Sequence, residues 1–156
     1  MKILATILLV MTLAPSVRAS DDPFVGKWVL SVQRSEYPAG SCPARMVIEM
    51  ETVGRGVRYK SDAVYANGKT AHAEYTAEYD GNQAIVVGGR GLLLPVSLKR
   101  LDAHTVIASY TRALQVVATS RRVISADKRF MTITTVSKDQ SGKSVTTIGV
   151  FERQEE

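Results

Sequence analysis

The stretch Ala71-His72-Ala73-Glu74-Tyr75-Thr76-Ala77-Glu78-Tyr79 decides how this chain is read. Ala and Tyr hold every odd position; His, Glu and Thr hold every even one. A strand sends successive side chains to opposite faces, so the run has one face to bury and one to wet. A helix, at 3.6 residues per turn, would mix the two sets. The spacing therefore predicts a half-buried antiparallel strand.

The same rhythm continues on both sides. Residues 27–33 put Trp28, Leu30 and Val32 on one side, and 45–52 put Met46, Ile48 and Met50 on one side. Residues 57–65 carry Val57, Tyr59 and Val64. Further on, 83–88, 95–101, 104–112, 114–125, 129–137 and 144–153 are each rich in Val, Ile, Thr and Tyr, as strands are. Asn67-Gly68, Asp80-Gly81, Asp102-Ala103, Ala126-Asp127 and Ser141-Gly142 punctuate them. Asn-Gly and Asp-Gly suit tight hairpins, whose central residues must accept positive φ. About ten short strands with no helical-period segment predict an all-β fold, a single antiparallel up-and-down β-barrel. Closure removes the edges that an open meander would expose to aggregation. A barrel of more than about eight strands can hold a cavity. One connection is longer, Arg34 to Ala44, and contains Pro38, Gly40 and Pro43.

The amino terminus reads as an export signal. Lys2 supplies a positive start, Ile3 to Leu13 an apolar stretch too short to span a bilayer, Pro15 a break, and Val17-Arg18-Ala19 a cleavage site. The expected division is a cleaved signal peptide over 1–19 and a β-barrel domain over 20–156. The destination is then the periplasm or the exterior, with no stable membrane insertion after cleavage. A lipoprotein would need a Cys just after the signal, and the single Cys is Cys42. Lys2 and Arg18 leave with the signal, so 20 basic residues become 18 against 15 acidic ones, a net +3 instead of +5. That charge serves solubility and is no nucleic-acid footprint. Cys42 cannot form an internal bridge. It reads as a partly buried thiol, with a reactive thiol or an intermolecular disulfide as the alternative.

Pro23-Phe24-Val25-Gly26-Lys27-Trp28-Val29-Leu30 resembles the first strand of the lipocalin and fatty-acid-binding-protein superfamily. The resemblance implies that Gly26 and Trp28 close one barrel end. Gly149-Val150-Phe151-Glu152-Arg153 resembles the last strand of the fatty-acid-binding group. Val96-Ser97-Leu98-Lys99-Arg100-Leu101-Asp102 and Ala118-Thr119-Ser120-Arg121-Arg122-Val123 resemble a functionally uncharacterised family of small secreted bacterial lipocalin-like proteins. Two departures stand out. The fatty-acid-binding group grips its ligand's carboxylate with an Arg-x-Tyr on the last strand, where this chain has Gly149 and Phe151. That group also has a helical pair after the first strand, which the prolines between Arg34 and Ala44 oppose.

Catalytic motifs are sparse. The chain has no Gly-x-Ser-x-Gly elbow and no Cys-x-x-Cys, and Gly142-Lys143-Ser144 lacks the earlier glycine of a phosphate loop. His72 and His104 have no zinc-type spacing. His72 shares a strand face with Glu74, and an acid–base pair there would need that face to line a cavity, which the alternation opposes. Gly88-Gly89-Arg90-Gly91 reads as a loop or bulge, and Leu92-Leu93-Leu94-Pro95 as a portal lip or a packed barrel end.

Two basic pairs carry more information. Lys99-Arg100 and Arg121-Arg122 are consecutive, so within a strand each pair must split between the faces. Arg100 shares a side with Val96 and Leu98, which turns it inward. Arg122 shares one with Leu114, Val116, Ala118, Ser120 and Ile124, the more apolar set of its strand. An inward guanidinium needs a partner, because unpaired burial costs several kcal/mol. Arg100 and Arg122 are thus candidate holders of an anionic head group, or rim residues that reach solvent. Tyr59, Tyr75, Tyr79, Tyr110 and Phe151 are candidate cavity liners or plain core. The expected function is non-catalytic binding of a small hydrophobic or amphipathic molecule inside the barrel, without metal or cofactor. The alternative is an exported inhibitor or adaptor that binds another protein through loops at the barrel mouth.

Overall fold

The computed structural model describes residues 22–88, 91–92 and 94–155, with 91–92 in backbone alone. The expected signal segment, 1–19, lies outside them. Twelve strands are found among the described residues: β1 (Gly26–Leu30), β2 (Arg45–Val53), β3 (Gly56–Val64), β4 (Thr70–Glu78), β5 (Asp80–Ala84), β6 (Val87–Gly88), β7 (Gly91–Leu92), β8 (Val96–Asp102), β9 (Thr105–Arg112), β10 (Gln115–Ile124), β11 (Phe130–Lys138) and β12 (Ser144–Gln154). All pair antiparallel in one sheet, in the order β5-β8-β9-β10-β11-β12-β1-β2-β3-β4-β6-β7. The first strand lies between the second and the last, with Trp28 opposite both Ile48 and Arg153. The sheet curls into the expected lipocalin-like barrel.

The alternation places the core. Trp28, Ile48, Leu98, Val96, Ala108 and Met131 are fully buried inside, while their strand neighbours face out. One end is plugged. The Trp28 indole donates to the Phe24 carbonyl at 3.0 Å, and the Arg153 guanidinium lies 4.1 Å from the centre of the Trp28 ring. Arg153 also donates to the carbonyls of Pro23 (2.6 Å) and Val25 (2.7 Å), tying the last strand to the chain that enters the first. Gly26 permits this, since its φ is +129° and a Cβ there would stand 2.6 Å from Arg153 Nη1.

The structure departs from the expected strand pattern in three places. The first strand stops at Leu30, and a 3₁₀ turn over Val32–Arg34 follows. Val32 is therefore exposed and not inward. Ser35 holds this turn: its hydroxyl donates to the Ser31 carbonyl and accepts from the Val150 amide. No helical pair follows; the chain instead bridges back to β12 through Glu36 and Ile148. The predicted strand 83–88 is divided between two neighbours. Asp80–Ala84 pairs with β8, whereas Val87–Gly88 pairs with β4 and turns back through Gly91–Leu92. Among the described residues no ladder joins β4 to β5, which leaves a seam in the barrel wall there. On β10, finally, the register shifts between Val116 and Ala118. Val116, read as inward, is thereby 61% exposed; Leu114, also read as inward, lies in the turn before β10 and is 94% exposed.

Candidate functional site

Past that bulge the alternation on β10 is regular. Ser120, Arg122 and Ile124 face inward and are buried, and Arg121 faces out. Arg122 is 2% exposed. Its Nη2 donates to the Tyr110 hydroxyl at 3.2 Å, and its guanidinium lies 4.8 Å from the centre of the Tyr59 ring. Tyr59 stacks in turn on Tyr75, with centroids 4.7 Å apart. No carboxylate among the described residues forms an ion pair with Arg122.

Two buried polar atoms here have no hydrogen-bond partner among the described residues: Arg122 Nε and the Tyr75 hydroxyl. Tyr75 is near enough to influence the guanidinium, yet no aligned bond joins them. Burial works against the charged guanidinium, but Tyr75, Tyr110 and Tyr59 around it outweigh burial, so Arg122 stays charged. Burial also raises Tyr59 and Tyr75 above the usual tyrosine range, against the pull of Arg122, so both stay neutral. Arg122 is therefore a buried cation surrounded by hydroxyl dipoles, with no counter-charge among the described residues. Such a group costs several kcal/mol to bury.

Arg122 forms part of the wall of a cavity of about 140 Å³. Tyr59, Tyr110 and Phe151 also line it, and Tyr75 stands behind Tyr59. The structure thus brings five of the six proposed ligand residues to one place. Further wall comes from side chains that strand reading did not single out: Tyr37, Ser120, Thr135 and Thr147. Thr135 lies opposite both Ser120 and Thr147 across the sheet, so the three share a face. Their parity with Arg122 and Phe151 was available in the sequence. Tyr37 had no such signal, because it belongs to the irregular connection after the first strand. Burial pushes its hydroxyl up to about 12, with Cys42 contributing.

Tyr37 also explains the missing Arg-x-Tyr. A Cβ at Gly149 would meet the Tyr37 hydroxyl and the Phe151 ring, both at 2.8 Å. A long side chain at this position has no room. The basic group in the barrel comes from β10 instead.

Arg100 lies elsewhere, at the plugged end. Its Nη2 donates to Asp22 at 2.7 Å, and the guanidinium sits 4.0 Å from the centre of the Tyr79 ring. Tyr79 donates to the same Asp22 oxygen at 2.9 Å. This cation is already paired, and it locks the entering chain to β8. His72 is on the outer wall, where its Nδ1 lies 2.7 Å from Asp62 Oδ1 on the neighbouring strand; that bond holds the Asp62 carboxyl below the usual range. Its partner is thus Asp62 and not Glu74. Among the described residues no three His, Cys, Asp or Glu side chains gather as a metal site. Of the expected portal lip, Leu94 and Pro95 are half-buried, and the side chains of Leu92 and Leu93 lie outside the described residues.

No protein-family model matches the chain, and no curated protein matches it. Solved structures do. One is zebrafish ileal bile acid-binding protein complexed with cholic acid. It shares 13% identity and a TM-score of 0.57, over 85% of this chain and 99% of that one. The likeness shows the fold, that of the fatty-acid-binding-protein barrel, and the neighbour is a binding protein.

Proposed function

We propose that the protein is an exported, non-catalytic binding protein that holds a small amphipathic anion inside its barrel. The observation that carries this is Arg122, buried to 2% on a cavity wall with no carboxylate paired to it among the described residues. A carboxylate, or another oxyanion, in that cavity would supply the missing counter-charge. The neighbour supports the coarse form of the reading, because cholic acid is a carboxylate on an apolar body. The size differs. Drug-sized ligands take roughly 300–1,000 Å³, so a cavity of about 140 Å³ asks for something much smaller. Export rests on the sequence features of residues 1–19.

Native mass spectrometry of detergent-free protein tests this. The expected result is a stoichiometric small adduct in acid form, absent from Arg122→Met. An adduct unchanged in that variant would overturn the role of Arg122. A second reading, an inhibitor or adaptor, draws on exposed apolar side chains, with Ile85, Val87, Leu114 and Val116 each at least half exposed. It gains if the protein stays free of small molecules and Leu114→Ser abolishes capture of one defined protein partner.

A further inference from the structure

The cavity is small, and its wall is part apolar, from Met46, Ile133 and Phe151, and part polar. Beyond Arg122, its wall includes the side chains of Ser120, Thr135 and Thr147 in a cross-strand row, with the Tyr37 side chain opposite the row's β12 end. Ser120 and Thr135 hydrogen-bond each other at 2.7 Å. That bond uses one hydroxyl proton, so the pair still offers the other proton and unused lone pairs. Such groups cost free energy if an apolar ligand covers them without replacing their bonds. An alkyl tail is therefore the wrong occupant for this row. Among the described residues Arg122 is also the only charged side chain on the wall, so a second carboxylate on the ligand would have no counter-charge.

Resting on the reading above, we infer that the ligand is a compact monoanionic hydroxy acid. Its carboxylate takes the Arg122 guanidinium, and its hydroxyls take the row Ser120–Thr135–Thr147. An engineered cavity of roughly 150 Å³ accepts benzene; a space of about 140 Å³ accordingly suits about six to eight non-hydrogen atoms.

The probe is glycerate against 2-methylbutyrate, which carries methyl groups where glycerate carries hydroxyls. Calorimetry on the wild-type protein should show glycerate binding at least about tenfold tighter. Thr135→Val and Thr147→Val, singly and together, should shrink the preference to within about threefold while 2-methylbutyrate still binds. Arg122→Met should lose both acids. Amide shift perturbations in the wild type, centred on residues 120, 135 and 147, give a readout that needs no variant to fold. Equal or tighter binding of 2-methylbutyrate overturns the hydroxy-acid inference and leaves the anion site standing. So does a glycerate preference that survives the double valine variant with shifts elsewhere. No binding of either acid at millimolar concentration, or binding unchanged in Arg122→Met, overturns the inference and the anion site together.

Discussion

Arg122→Met replaces a buried cation by an apolar side chain of similar length. Exchanging buried charge for well-packed apolar groups is often neutral or stabilising, by on the order of 1–4 kcal/mol. The variant should therefore melt at the wild-type temperature or up to about 12 °C higher in the absence of ligand, while it loses the ligand. Scanning calorimetry checks this, and a fall of several degrees would mean that the guanidinium braces the stacked pair Tyr59 and Tyr75. Gly149 gives the opposite case. Its substitution by Ala drives a methyl group into the Tyr37 hydroxyl and the Phe151 ring, each 2.8 Å away. Overpacking of this kind costs about 1–3 kcal/mol. Chemical denaturation of Gly149→Ala should show that loss, and Tyr37→Phe in the same chain should recover part of it.

The hairpin between β9 and β10 turns on Ala113 and Leu114, at φ values of +47° and +64°. Both lie in the left-handed region, where a two-residue hairpin of this type favours Asn-Gly. Leu114 is also 94% exposed, so it contributes no burial in return. The double substitution Ala113→Asn with Leu114→Gly, which installs the favoured dipeptide, should raise stability by about 1 kcal/mol, readable as a higher denaturation midpoint. At this scale much of the fold could be read in advance. Strands such as Ala71–Tyr79 reveal their faces because the alternation is local and strict. Val116 misled because one extra residue in β10 exchanges inside for outside, and a bulge leaves little trace in composition. Arg100 and Arg122 looked alike for a related reason. Parity states which face a side chain takes, and not how far along the barrel it lies or whether Asp22 waits there. Tyr37, in a connection without period, could be found only in three dimensions.

Across the whole molecule, aspartates punctuate the barrel. Asp80, Asp102, Asp127 and Asp139 each accept an amide two residues on, at 2.8–3.1 Å. These bonds, with the Ser125 and Ser141 hydroxyls the leading contributors at Asp127 and Asp139, hold all four carboxyls below their ordinary 3.8. A carboxylate whose folded value is depressed adds stability above its unfolded value and loses it as acid protonates it. The melting temperature should thus stay level at neutral pH on this account and fall as pH drops from about 5 toward 2. Changing all four to Asn, which keeps the turn geometry, should flatten that fall; an unchanged profile would assign the acid sensitivity to other carboxylates. The pairing of the first strand with the last has a consequence for time. Trp28 and Arg153 must meet before the plugged end exists, and 124 residues separate them in the chain. A ribosome delivers the two in that order, at about 5–20 residues per second. For several seconds the opening strand has β2 on one side and nothing on the other, and a chaperone or a neighbouring nascent chain has that interval in which to reach it.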